Sequence, residues 1–498
     1  MLKVSPLFGD QGMLPAGKKI RIFGRADEGA VIRAQLTRTD GKTTGEGWCV
    51  GKAGRFLLHL PPQRVEDAPL TLVIASETER FVAEDLSVGL VFLAGGQSNM
   101  EWALENAAGG REMITSHDDP ELRYFSVPRV SVLDEAGMAA HDAACWQKIL
   151  PDQGGEMSAV AYFFARTIRE KTGLPVGIVG CNWGGTSVLS WMDEVALNRS
   201  APARKAAAAY EECIAGITLP MWQERQQAFE VEMNAWNARV AEVKAASPGL
   251  EWTEVEKRAG VCPWHPPAGP GSPYRPGQLH RTMVDRIVPM ALSGVLFYQG
   301  ESDVERAEDY GDLLITLVTR WRELFADAEL PFCNVQLPMY IDAGAQDDRR
   351  WAILRYQQEK AWRTLQNSEL AVMIDAGEYG NIHPVDKRTP GERLALAFLK
   401  LDHTPRAAGK STCGKTLTVE VTQPVEIRGE RAELFEIAGE DGVYYPAQAE
   451  VHECCIRLTA QGVQHPVKVR YAWVNWGRVQ VFGKEVPRLP LAPFIMED

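Results

Sequence analysis

The chain has 498 residues, 45% hydrophobic and 24% charged, and a formal net charge of −13. That length exceeds one ordinary hydrophobic core and predicts two or three domains of a soluble globular protein. An acidic balance spread along the chain argues against nucleic-acid binding, which needs a basic face, and no apolar run approaches membrane-spanning length.

The first residues, Met1-Leu2-Lys3-Val4-Ser5-Pro6, carry no apolar h-region, so no signal peptide is expected and the expected location is cytoplasmic. Nine irregularly spaced cysteines include no C-x-x-C pair, which fits reduced thiols and offers neither a zinc ribbon nor a redox motif. Residues 1–88 read as a β-sandwich-like domain. Short β-forming runs at 19–23, 31–36, 55–60 and 70–74 are separated by turn residues such as Asp40-Gly41.

Residues 89–401 alternate strand and helix patterns. Strands are expected at 91–94, 176–181, 294–298, 332–337 and 370–375, with helices at 158–172, 308–325 and 351–365 between them. This alternation predicts an α/β fold with a parallel sheet covered on both faces. Residues 194–276 interrupt it. The first part is helical in composition, and the stretch 262–276 holds six prolines with Trp264, His265 and Tyr274. Structural cover at the sheet edge and a lid beside a substrate are both open readings of this insertion. Residues 405–498 return to β patterns at 416–421, 455–458 and 467–471. They form either a separate β-rich domain or the completion of the N-terminal sandwich.

Four loops follow expected strands, so each can reach one crevice at the carboxyl ends of a sheet. The first is Gly95-Gly96-Gln97-Ser98-Asn99-Met100, directly after the apolar run Leu90–Ala94. Taken alone, Ser98 reads either as a helix cap or as an exposed nucleophile, and Met100 removes the match to a G-x-S-x-G elbow. The second loop is Cys181-Asn182-Trp183-Gly184-Gly185-Thr186-Ser187, whose glycine amides could line an oxyanion hole. The third, Tyr298-Gln299-Gly300-Glu301-Ser302-Asp303, offers an amide beside two carboxylates. The fourth is Asn381-Ile382-His383-Pro384. A serine, a histidine, an amide and glycine N–H groups are the parts that acyl transfer uses.

Together these motifs resemble the sialate O-acetylesterase family, whose hydrolase domain belongs to the SGNH superfamily. Tyr274-Arg275-Pro276 and Arg470-Tyr471-Ala472-Trp473 extend the resemblance over nearly the whole chain. The resemblance implies a flavodoxin-like, three-layer SGNH core with β-rich flanks, no metal and no cofactor. It implies Ser98 as nucleophile and His383 as base. Gln299, the Gly184-Gly185 loop and the Ser98 amide would be the oxyanion donors.

The sequence departs from the family pattern at Asn381, where relatives carry an aspartate two residues before the histidine. An asparagine supplies no negative charge to an imidazolium. Three repairs are open: a Ser98–His383 dyad, a backbone carbonyl, or a carboxylate from elsewhere. Glu301 is the first candidate, with Asp375 and Glu378 after it.

The expected activity is hydrolysis of O-acetyl esters on sialic acid through an acetyl-serine. An acetyl-xylan or other carbohydrate acetylesterase is the alternative. A non-catalytic carbohydrate-binding protein on an esterase scaffold is the second. The expected partner is an O-acetylated sugar, with Gln97, Trp183 and Arg275 as binding candidates and Trp102 and Trp191 as further aromatic ones.

Overall fold

The computed structural model describes residues 1–65 and 68–497. The chain is mixed α/β. Its central sheet contains seven strands: β1 (Arg80–Gly96), β2 (Asp119–Ser126), β3 (Trp146–Ile149), β4 (Val176–Asn182), β5 (Gly294–Tyr298), β6 (Phe332–Val335) and β7 (Ser368–Ala371). They lie side by side in the order β3-β2-β4-β1-β5-β6-β7. Only the β3–β2 edge pair is antiparallel; β2, β4, β1, β5, β6 and β7 run parallel. The inner strands are almost wholly apolar where they pair in this sheet, β1 from Val88 onward, as expected where both faces are covered.

Register brings three strand ends level. Gly96 lies opposite Asn182 on one side and Tyr298 on the other. The loops that leave β1, β4 and β5 therefore start from one line. Gly96 is required there: its φ is +133°, and a Cβ would stand 2.1 Å from the Tyr298 carbonyl oxygen.

The main helices are α1 (Ser98–Glu101), α2 (Ala159–Thr172), α3 (Tyr310–Leu324), α4 (Arg350–Thr364) and α5 (Arg388–Phe398). The α2 helix begins where the Ser158 hydroxyl accepts from the Ala161 N–H and ends at Gly173, a left-handed cap at φ +71°. It packs on α5, while α3 packs on α4. The β7 strand stops at Ala371, four residues short of the expected end at 375, because Ile374–Ala376 turns toward the next loop.

The N-terminal strands form a three-stranded sheet of Leu2–Val4, Ile20–Ala26 and Arg55–Leu60, and a second group of Val31–Arg38, Thr43–Val50 and Leu70–Ala75. This second group is not separate from the central sheet. Leu70–Ala75 pairs antiparallel with the first half of β1, and the second half of β1 runs between β4 and β5. The expected boundary at residue 88 falls in the middle of that one strand.

The insertion contains helices at Glu194–Arg199, Ala201–Cys213, Leu219–Ala246 and Trp252–Ala259. Leu219-Pro220 starts the long helix: Pro220 occupies its first turn, where the missing N–H costs nothing, and Thr218 caps it. The proline-rich loop is tied back to that helix by the Trp222 indole N–H, which donates to Pro267 O at 3.0 Å. The C-terminal strands form two four-stranded sheets and one pair, with an apolar core of their own that also takes in Met339, Val372 and Ile374.

Among the described residues, no helix is long and apolar enough to cross a membrane. All nine cysteines are unpaired.

Candidate active site

Ser98 occupies the first position of α1, directly beyond the β1 end. The His383 Nε2 stands 2.8 Å from the Ser98 Oγ, although the two residues are 285 positions apart. A hydroxyl and an imidazole at this distance have the geometry that a nucleophile–base pair of acyl transfer requires. Burial holds the His383 imidazole down at a pKa of about 4, with the nearby Lys387 ammonium as a second, smaller cause. The ring is therefore neutral at pH 7 and able to accept a proton.

The His383 loop is fastened by a buried polar cluster. The Asn99 carboxamide donates to Ile382 O at 3.0 Å and to Glu301 Oε1 at 2.5 Å. Its oxygen accepts from the Lys387 ammonium at 2.7 Å. Lys387 also donates to Pro384 O, and its Nζ lies 5.1 Å from the Trp102 ring centroid. Trp102 in turn stacks on the His383 imidazole, with centroids 5.7 Å apart and planes 27° from parallel. Burial draws the Lys387 pKa down to about 7, opposed by the charges of Glu301, Glu378 and Asp386.

The expected orienting carboxylates all have other partners. Glu301 meets Asn99 rather than His383; its Oε2 is buried without a partner, and burial raises its pKa. Asp375 is held in a bidentate pair by Arg393 at 2.6 and 2.8 Å. Glu378 accepts from the Asn381 amide at 2.6 Å and from the Val385 N–H at 2.7 Å. Asn381 braces the histidine through the backbone instead: its side-chain oxygen accepts from the His383 N–H at 3.0 Å. Among the described residues, none is hydrogen-bonded to the His383 Nδ1.

The expected oxyanion donors Gln299 and Gly184 have partners of their own. Gln299 is 1% exposed. Its amide nitrogen faces Gln97 Oε1 at 3.1 Å, Thr186 O at 3.1 Å and Asp303 Oδ2 at 2.6 Å. Its oxygen accepts from Tyr310 at 2.7 Å. This amide ties the β4 and β5 loops together and points no hydrogen at Ser98. Gly184 lies against the serine: a Cβ there would stand 3.4 Å from the Ser98 Cβ. The Gly184 N–H donates to the Glu101 carboxylate, which also pairs with Arg129. Gly185 has φ +73°, and a Cβ on it would strike the Trp264 ring at 2.3 Å. The proline-rich loop thus lays Trp264, and Tyr274 beside it, over the glycine turn.

Ser98 and His383 open into a cleft of about 580 Å³, whose lining includes Glu101, Trp102, Arg129, Asn182 and Gly184. Gln97 and Trp183 adjoin this cleft in the chain without lining it; the Gln97 oxygen is taken by Gln299 and by the Ser302 N–H at 3.3 Å. Arg275 is outside it, bound to Glu211 at 2.7 Å and to Pro270 O at 3.1 Å, where it joins the insertion helix to the proline-rich loop. Trp191 is fully buried, its indole N–H on Thr186 Oγ1 at 3.1 Å.

Sequence reasoning missed Lys387, Glu101 and the role of Asn99. Asn99 and Glu101 flank the serine and were open to inspection. Lys387 gave no local signal, since a lysine before a helix reads as a solvated side chain.

Residues 264–399 match the family model described as carbohydrate esterase, sialic acid-specific acetylesterase. The sialate O-acetylesterase of Rattus norvegicus is 24% identical over 521 residues, covering 93% of this chain and 87% of that protein. That of Mus musculus is 24% identical over 431 residues, covering 79% of this chain and 74% of the other. A crystal structure of a carbohydrate acetylesterase from Xanthomonas citri superposes with a TM-score of 0.76 at 26% identity, covering 99% of both chains. With a serine and a neutral histidine paired in the cleft, the chain resembles the sialate O-acetylesterases and other carbohydrate esterases over most of its length and is a carboxylic-ester hydrolase.

Proposed function

We propose that the chain hydrolyses O-acetyl esters of sialic acid, with Ser98 as nucleophile and His383 as general base on an SGNH-type core. The observation that carries this reading is the 2.8 Å contact between His383 Nε2 and Ser98 Oγ. Strand order supports the core assignment: without the β2–β3 edge, the parallel strands follow the doubly wound order 2-1-3-4-5, which places ligands at the carboxyl ends beside the first strand.

His383 takes the Ser98 proton as Oγ bonds to the acetyl carbonyl carbon. The Ser98 N–H, in the first turn of α1, and the Gly184 N–H receive the developing oxyanion. For Gly184 to do so, Glu101 swings off its amide and keeps Arg129. The ester C–O bond then breaks, and His383 returns its proton to the leaving sugar oxygen. Water, deprotonated by the same imidazole, attacks the acetyl-serine; the bond from Oγ to the acetyl carbon breaks, His383 returns its proton to Ser98, and acetate leaves. Gln299 and Glu301 serve as supports: Gln299 fixes the loops, and Glu301 fixes Asn99.

A second reading, a carbohydrate acetylesterase for a sugar other than sialic acid, is favoured by the full-length likeness to the Xanthomonas citri enzyme. Acetate release from O-acetylated sialic acids and from acetylated xylo-oligosaccharides separates the two. Ser98→Ala and His383→Ala should each remove activity on the better substrate. The esterase reading falls if both variants keep wild-type rates. A serine-reactive phosphonate that leaves Ser98 unlabelled while sugar still binds would favour a binding protein.

A further inference from the structure

A second cavity, of about 490 Å³, lies between the N-terminal three-stranded sheet and the α/β sheet. We propose that it binds a small organic anion, a carboxylate or phosphate ester of about monosaccharide size. This inference is independent of the esterase reading.

Charge is the first observation. On a chain whose net charge is −13, this cavity is lined by Lys3, Arg25, Lys52, Arg55 and Arg286 against only two carboxylates, Asp142 and Asp285. Asp142 is already taken by Lys3 and by Arg25, the latter at 3.3 Å. Asp285 lies 3.7 Å from His280. Among the described residues, no carboxylate comes within ion-pair distance of Arg55 or Arg286.

Unmet hydrogen-bonding capacity is the second. The Arg286 Nε is buried without a partner, and its Nη1 faces only the Met138 sulfur at 3.9 Å. His141, 7% exposed, lines the same cavity with its Nε2 buried and unpartnered. Burial lowers the pKa of both groups; at Arg286 the charges of Asp285 and Asp142 oppose the shift, while Arg55 and Arg25 add to it. Five cations around two carboxylates leave positive charge uncompensated, and a guanidinium fork matches the paired oxygens of a carboxylate or phosphate.

The remaining wall selects an organic body rather than a bare ion. Phe23, Phe56 and Val288 face the cavity, whose volume falls in the range of small-molecule sites. Phe125 and Val127 line both this cavity and the Ser98 cleft, so an occupant would rest against the wall of the cleft.

The test is calorimetric titration of the Ser98→Ala protein with glucuronate, glucose 6-phosphate and, as the neutral control, glucose. Saturable binding of at least one anionic probe and none of glucose is expected; which anion binds distinguishes a carboxylate from a phosphate ligand. Arg286→Met should weaken that binding about tenfold or more, the scale of a charge-assisted bidentate contact. Arg55→Met, on an exposed side chain, should weaken it too and keeps the test sound if Arg286→Met fails to fold. No saturable binding of either anion overturns the proposal. So does binding that survives both substitutions unchanged, which would place the anion elsewhere.

Discussion

The Trp102 ring lies stacked on the His383 imidazole, centroids 5.7 Å apart and planes 27° from parallel. With no hydrogen bond at Nδ1 from any described residue, this packing and the brace at the His383 N–H set the direction of the base. Trp102→Ala should therefore lower kcat for acetate release by about 10- to 100-fold, the penalty for a slightly misplaced catalytic group. Trp102→Phe, which keeps a flat ring, should retain most of the activity. Equal losses in both variants would remove stacking as the cause.

The base should work in unusually acidic solution. His383 must be neutral to accept the Ser98 proton, and its pKa is lowered to about 4, so the acid limb of kcat/KM should lie near pH 4. Burial is the larger cause and Lys387 the smaller. Removing the ammonium in Lys387→Met takes away a charge that opposes protonation, so the limb should move to higher pH. It should stay below the ordinary 6.5, because the burial remains. A pH–rate profile that does not move would show that Lys387 acts on the loop alone.

Restoring an aspartate at position 381 should not help this enzyme. The Asn381 amide donates to Glu378, and the side-chain oxygen is on the His383 backbone. In Asn381→Asp a second carboxylate would face Glu378 at the distance of a hydrogen bond, and the pair would either repel or hold a proton. We expect kcat/KM at pH 7 to fall by about tenfold, a typical loss for a disturbed positioning contact. The double variant Asn381→Asp, Glu378→Gln should recover part of it. A rise in the single variant would show that the imidazole had lacked a negative neighbour.

Gln299 is expected to matter for stability first. Its amide serves Gln97, Thr186 and Asp303 inside the protein, where truncation strands polar atoms away from water. Gln299→Ala should cost about 2–4 kcal/mol in urea unfolding, the scale for unsatisfied buried groups. A kcat loss with an unchanged midpoint would make Gln299 a direct oxyanion donor after all.

The parts of the site that follow buried strands were legible in the sequence. Apolar runs ending in glycines mark the ends of β1, β4 and β5 and bring Ser98, Gly184 and Gln299 into one region, which His383 reaches from the loop after β7. Side-chain direction was not legible. Whether the Gln299 amide faces Ser98 or Asp303 depends on partners contributed by other loops, and Glu301 meets His383 only by way of Asn99 and Ile382. Lys387 escaped for a related reason: its burial is imposed by Trp102, Asn99 and Pro384, which converge only in three dimensions.

The long strand β1 has one further consequence. Its first half is held by Leu70–Ala75 and its second half delivers Ser98, so the same backbone ribbon is laced into both parts of the molecule. Cutting the chain near residue 80 would leave a bare strand edge at Arg80–Leu86, a template for aggregation. The N-terminal region is thus less an ornament than a handle built into the strand that carries Ser98. Unfolding of that region and loss of the serine's position should occur as a single event.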